Sequence, residues 1–265
     1  MNMMAEPEID LPVHVREELS RTADPGFATR LRAELRARQA RATRSLSWFD
    51  LELPVGPIRL VHDGELIHMV TRDLERFDAL VHEGLGFEPG FGDSKRVREA
   101  VSAVFAGRRR GSDVAFLGEL SPFQQAVLKT TATIPKGQLR PYHWVARHAG
   151  SPGAVRAAGT ALGHNPVPFV VPCHRVVRSD WTLGEYSAGG TEVKEKVLRA
   201  EGVTHERLEW LQHAPRYIGQ LGTHEFCLAA CPGLDEEDPA LHRAFRSPEE
   251  ALAEGYVPCD TCKPV

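Results

Sequence analysis

The chain has 265 residues, 42% of them hydrophobic and 26% charged, which is enough apolar material for one large domain or two smaller ones. No run of ~18 apolar residues occurs, which excludes a membrane-spanning helix. The net charge of −4 excludes a protein that coats nucleic acid indiscriminately.

Residues 1–47 read as an extension. Its acidic start has no apolar core of the signal-peptide kind, so a cytoplasmic, reducing setting is expected, with cysteines used as ligands or nucleophiles. Asp24-Pro25-Gly26 opens a helical run from Phe27 to about Ala42, with six arginines in or just after it; a solvated helix face accounts for them more simply than a DNA-touching arm. Residues 48–118 alternate like strands over Phe49–Leu53, Ile58–Val61 and Leu66–Val70, with Asp63-Gly64 suited to a tight hairpin. Helices are expected near Asp73–Glu83 and Lys95–Phe105. Residues 119–207 read as mostly helical: Pro122–Thr131, then Tyr142–Ala149 and Ala154–Leu162 at helix-turn-helix spacing with Ser151 as cap of the second, then Lys194–Glu201. Local charge follows this division. From Arg140 to Ala200 there are eight Lys/Arg against four Asp/Glu; from Gly222 to Val265 there are three against nine. A duplex is expected to meet the middle of the chain and avoid the tail.

Within the middle segment, Asn165-Pro166-Val167-Pro168-Phe169-Val170-Val171 runs into Pro172-Cys173-His174-Arg175-Val176. The apolar, Pro-bounded run reads as a short buried strand that holds Cys173 rigidly beside a base. A thiol attacks only as thiolate, and a neighbouring His that takes its proton supplies one. The alternative is a buried, inert cysteine.

Asn-Pro-Val-Pro followed by Pro-Cys-His-Arg-Val resembles the active-site signature of the O6-alkylguanine-DNA alkyltransferases. Further matching stretches are Ser121–Leu128, Ile134–Gln138, Tyr142 through Gly150, Ala154–Gly159, Gly184–Ser187 and Lys194 through Gly202. The resemblance implies an α+β protein with a small ribonuclease-H-like sheet domain over 48–118, followed by a mostly helical, winged-helix-like catalytic and DNA-binding domain over 119–207. It implies a monomer that repairs double-stranded DNA containing O6-alkylguanine, with O4-alkylthymine a secondary candidate. Each molecule acts once, moving the alkyl group to Cys173 without a cofactor.

The same resemblance assigns roles. His174 takes the thiol proton through a water, Glu201 orients His174, and Asn165 ties the turn that presents Cys173. Tyr142 presses on the flipped nucleotide and hydrogen-bonds the leaving guanine. Arg156 fills the gap left in the base stack, small neighbours Ala154, Ala157 and Gly159 allow close approach to DNA, and Arg175 belongs to the DNA-contacting set. Pro168, Val176, Tyr186 and Ser187 form the substrate pocket. Two departures stand out. Trp181 occupies a position where Gly is usual, so another loop shape, or a Trp bordering the cleft, is expected; Ala188 is an insertion that shifts the pocket rim.

The other four cysteines form Cys227-x3-Cys231 and Cys259-x2-Cys262, a set suited to a structural tetrahedral zinc within a module over 215–265. Phe226, Phe245, Leu252 and Tyr256 are expected to build its small core. Redox pairs and iron–sulfur ligation are the alternatives. This stretch resembles the N-terminal zinc domain of Ada, in which Cys227 takes the place of a phosphotriester methyl acceptor. Here Leu228-Ala229-Ala230 and the acidic run Asp235–Asp238 follow instead of basic residues. Four thiolates around zinc add to that negative field, so a structural or protein-contact module is the expectation.

Overall fold

The computed structural model describes residues 46–85, 89–118, 120–234 and 241–265. The arginine-rich helix expected over 27–42 and the acidic run at 235–238 lie outside the described residues. Leu46–Val265 form one compact unit, and the segments expected as separate domains share a continuous apolar core.

The alternation at the start of this unit makes three antiparallel strands: β1 (Ser47–Leu53), β2 (Gly56–His62) and β3 (Ile67–Thr71). A short β4 (Gly90–Phe91) adds parallel to β1, giving the order β3-β2-β1-β4. Asp63 and Gly64 make the β2–β3 turn: Asp63 Oδ1 accepts the N–H groups of Glu65 and Leu66, and Gly64 takes φ +90°. The first helix, α1, is Phe77–Leu85 and starts four residues later than expected, because Asp73 turns the chain by accepting the N–H of Arg76. The second, α2 (Lys95–Phe105), is capped by Ser94 and buries Val97, Ala100 and Val101 at helical spacing.

The central segment opens on α3 (Pro122–Thr131). Ser121 and Gln124 form a reciprocal capping box there, with Pro122 in the first turn, where its missing N–H costs nothing. Next come α4 (Tyr142–His148) and α5 (Val155–Gly163), packed on α3 and on each other. Ser151 does not cap α5. The N-cap is Ala154, with no side-chain bond, because a turn places Ser151 three residues too early; its carbonyl accepts the N–H of Ala154 instead. The two-residue strands β5 (Arg140–Pro141) and β6 (Val176–Val177) pair in parallel.

The run before Cys173 is buried but is not a strand. Asn165 Oδ1 accepts the N–H of Val167, Phe169 turns through φ +68°, and Pro168 bridges back to Val171. This tight loop sits on Gly111, where a Cβ would lie 1.8 Å from the Val170 carbonyl oxygen, so only glycine fits beneath it. Helices α6 (Gly190–Ala200) and α7 (His205–His213) complete the segment.

The C-terminal module is a second sheet of order β10-β8-β7-β9, made of β7 (Tyr217–Gln220), β8 (Glu225–Leu228), β9 (His242–Phe245) and β10 (Val257–Pro258), with a short α8 (Pro248–Ala253). Phe226, Phe245 and Tyr256 are buried as expected. Leu252 is 49% exposed: this short helix points Ala251 inward and leaves Leu252 outside.

Candidate active site

Cys173 and His174 begin a 3-10 turn, both buried, at the end of the tight loop. Asn165 stitches that loop together. Its Nδ2 donates to the Val171 carbonyl (3.0 Å) and to Cys173 Sγ (3.1 Å). Burial pushes the Cys173 thiol up; the Asn165 hydrogen bond and the charge of Lys194 pull the other way. Resting Cys173 is therefore a thiol and needs a base.

That base lies next to it. Burial holds His174 below the ordinary imidazole range, so it is neutral at pH 7. Its Nε2 is 3.0 Å from Glu201 Oε1. A carboxylate only accepts, so Nε2 carries the proton and Nδ1 keeps its lone pair. Nδ1 is buried and has no hydrogen-bond partner among the described residues. Burial disfavours the Glu201 anion, but the hydrogen bonds from His174 and Arg175 prevail and hold the carboxyl at about 2.

Arg175 corrects one expectation. Rather than facing DNA, its Nε and Nη2 donate to the two Glu201 oxygens (2.9 and 2.7 Å) and its Nη1 to the Ile134 carbonyl (2.6 Å). A fork of fixed geometry suits a carboxylate, so the guanidinium turns inward.

A cavity of about 400 Å³ opens over Cys173, lined by Tyr142, Gly159, Tyr186 and Ser187, together with Arg178 and Glu185. Pro168 lines a neighbouring cavity instead, of about 600 Å³, with Asn165, Ser187 and Ala188. Val176 is buried, and its carbonyl accepts from Lys194 Nζ (2.6 Å). On α5, Arg156 and Ala157 are exposed and Ala154 half-buried, so the helix offers an open face. Trp181 also departs from expectation. It keeps the left-handed conformation (φ +64°) and is buried in the core, not at the cleft. Left-handed backbone costs about 1–2 kcal/mol, whereas burying a Trp is worth about 4–6 kcal/mol; the ring pins the turn.

Lys194 joins the site as a residue with no motif to mark it. It is fully buried, donates to the carbonyls of Val176 and Leu183, and is pushed by burial down to about 8, with Cys173 opposing. The available signal was its position, three and four residues before the buried Val197 and Leu198, on the apolar face of α6.

In the C-terminal module, the Sγ atoms of Cys227, Cys231, Cys259 and Cys262 lie within 4.8 Å of one another, all buried. Tetrahedral zinc with bonds of about 2.3 Å needs sulfurs about 3.8 Å apart, so the set fits that ion after a small contraction. Hydrogen bonding to Cys231 and Cys262, and then burial, push the Cys227 thiol far up, as expected of clustered thiols without a cation. The N–H of Leu228 points at Cys262 Sγ (3.3 Å).

Known proteins are similar to this chain over the segment that carries the site. Residues 122–203 match the family model described as the 6-O-methylguanine DNA methyltransferase DNA-binding domain. A methylated-DNA–protein-cysteine methyltransferase of Methanosarcina acetivorans is 36% identical over 156 residues, 57% of this chain and 95% of that protein. Its counterpart in Mycobacterium bovis is 34% identical over 152 residues, 57% of this chain and 89% of its own. A crystal structure of Mycobacterium tuberculosis OGT in complex with DNA is similar with a TM-score of 0.46 and 32% identity, over 62% of this chain and 98% of that one. A buried cysteine followed by a His–Glu pair defines a candidate cysteine-nucleophile site. The chain belongs to the methylated-DNA–protein-cysteine methyltransferase family and is an enzyme of DNA repair by alkyl transfer.

Proposed function

We propose that Cys173 accepts the alkyl group from O6 of guanine in double-stranded DNA, once per molecule. The observation that carries this reading is Cys173 lining a cavity bordered by Tyr142 and α5, with the hydrogen-bonded pair His174–Glu201 beginning at the next residue. His174 Nδ1 takes the thiol proton through a water. The sulfur attacks the alkyl carbon, the carbon–O6 bond breaks, and its electron pair leaves with guanine, which Tyr142 Oη stabilises by hydrogen bonding. The product is a thioether, and no group in the site offers to cleave it.

A buried thiol reaches a guanine only if the nucleotide leaves the stack. The open face of α5 carries Arg156, which takes the vacated place, while Gly159 keeps the helix low beneath the base. Ser187 offers its backbone N–H to O6. The segment 48–118 serves as scaffold for 119–207, and 215–265 as a zinc-holding module. Methyl transfer from a phosphotriester to Cys227 is not part of the proposal, because Leu228-Ala229-Ala230 and the acidic run Asp235–Asp238 follow it where a phosphate would need basic residues.

The test is to incubate the protein with duplex DNA carrying O6-methylguanine and, separately, a methylphosphotriester, then to map the product by tandem mass spectrometry. One methyl on Cys173 from the first substrate alone is expected. Binding without transfer would mark a lesion sensor instead, and methyl on Cys227 would overturn the structural reading of the tail.

A further inference from the structure

The C-terminal module meets the transferase over the segment that carries Tyr142. Arg140, two residues before it, is only 2% exposed. Its Nη1 donates to the Leu139 carbonyl (2.9 Å). Its Nη2 donates to Gln138 Oε1 (2.8 Å) and, more weakly, to the carbonyl of Thr261 (3.4 Å), which stands between Cys259 and Cys262. Burial works against the Arg140 charge; the groups that favour it are Cys262, Cys231 and Cys259. Two residues after Tyr142, Trp144 donates its indole N–H to the carbonyls of Lys263 (2.6 Å) and Cys262 (3.1 Å). Between them, His143 bridges Tyr217 Oη (3.1 Å) at the start of the module and Ser179 Oγ (3.0 Å). Tyr142 is thus flanked by residues held from the C-terminal side.

A buried guanidinium without an opposite charge is costly, and so are four adjacent thiolates without a cation. Zinc with four thiolates carries a net charge of −2. Set beside Arg140, it settles both costs at once. We propose that Arg140 is the counter-charge of the metal-loaded cysteine cluster, and that this pairing makes the C-terminal module a positioning element for Tyr142. Metal occupancy then holds β5 and α4 in the conformation that lines the Cys173 cavity. Tyr142's part rests on the alkyl-transfer reading above; the pairing of Arg140 with the cluster does not.

Zinc affinity of the full chain is measured by competition with a chromophoric chelator, and cobalt substitution reports the tetrahedral thiolate spectrum. Arg140→Met is expected to weaken zinc binding about 10- to 100-fold, the usual effect of removing a partner outside the metal's own ligands. Arg140→Lys, which keeps the charge, is expected to recover most of it. Equal affinity in wild type and Arg140→Met overturns the pairing, as does an Arg140→Lys no better than Met. Hydrogen exchange of the wild-type chain, loaded and zinc-stripped, tests positioning without any variant. Stripping is expected to lower protection over residues 140–148, and loss confined to 217–265 overturns it. Single-turnover transfer from O6-methylguanine duplex is then compared in wild type and Tyr142→Phe. Zinc removal is expected to slow the first and to add little to the second, and equal slowing of both overturns action through Tyr142. A loaded wild type that transfers nothing would overturn the alkyl-transfer reading and Tyr142's part with it, leaving zinc affinity to decide the Arg140 pairing.

Discussion

Glu201 serves three partners at once: Oε1 accepts from His174, both oxygens accept from Arg175, and Oε2 also accepts, at 3.5 Å, from the N–H of Gly137. Glu201→Gln breaks the fork and frees the His174 tautomer, so single-turnover alkyl transfer is expected to fall by roughly tenfold or more, with lesion binding kept. Cys173→Ala is expected to abolish transfer and leave lesion binding intact in a gel-shift assay. The acid limb of stability follows from the same carboxylate. Its folded value of about 2 lies below that of the unfolded chain, so its contribution is present above about 4.3 and is lost as pH falls towards 2. Melting temperatures across that window should fall less steeply for Glu201→Gln than for wild type. Arg156→Ala should slow repair in duplex DNA more than reaction with free O6-benzylguanine; equal slowing would remove the stack-filling role.

At the scale of elements, the loop that presents Cys173 depends on a residue far from it in sequence. A Cβ at Gly111 would strike the Val170 carbonyl, and a backbone atom cannot give way as a side chain can. Gly111→Ala is expected to destabilise the fold by about 3 kcal/mol or more, read by thermal denaturation; an unchanged melting temperature would show the loop to be more yielding than its contacts imply. The docking of α4 has a pH signature of its own. Burial and then the charges of Arg216 and Arg147 push His143 down to about 4, so its bridge to Tyr217 is made by the neutral ring. Its contribution is full above about 6.5 and is lost as pH falls through 4. Exchange protection of α4 should decline across that interval, and the decline should vanish in His143→Gln.

Over the whole molecule, the C-terminal sheet is a working part of the core. It covers Trp144 and Arg140, and the core cluster runs from Phe49 to Cys262. A chain ending at Ala214 would lose the carbonyls of Thr261, Cys262 and Lys263 that accept from Arg140 and Trp144. Such a truncation also uncovers the apolar surface that Trp144 and its neighbours bury against the module, so it should melt well below the full chain by calorimetry. Equal melting temperatures would mean that the module hangs free.

The local chemistry was legible in the order of residues. Cys173 beside His174, the capped α3, the α4–α5 pair, the β2–β3 hairpin and the paired cysteines all depend on neighbours a few positions apart, where backbone preference and spacing act. The apolar run before Cys173 misled because burial and strand periodicity look alike over so short a segment; Phe169 at positive φ and the Asn165 side chain decided for a turn. What only the tertiary structure decided is where buried charge finds its partner. Arg175 turned from the DNA face to Glu201, 26 residues away; Lys194 entered the core beneath Val176; and Arg140 came to rest beside the carbonyl of Thr261, 121 residues downstream. The reason is physical: a buried ion must be satisfied by whatever the fold brings within hydrogen-bonding reach, and no local pattern records which residue that will be.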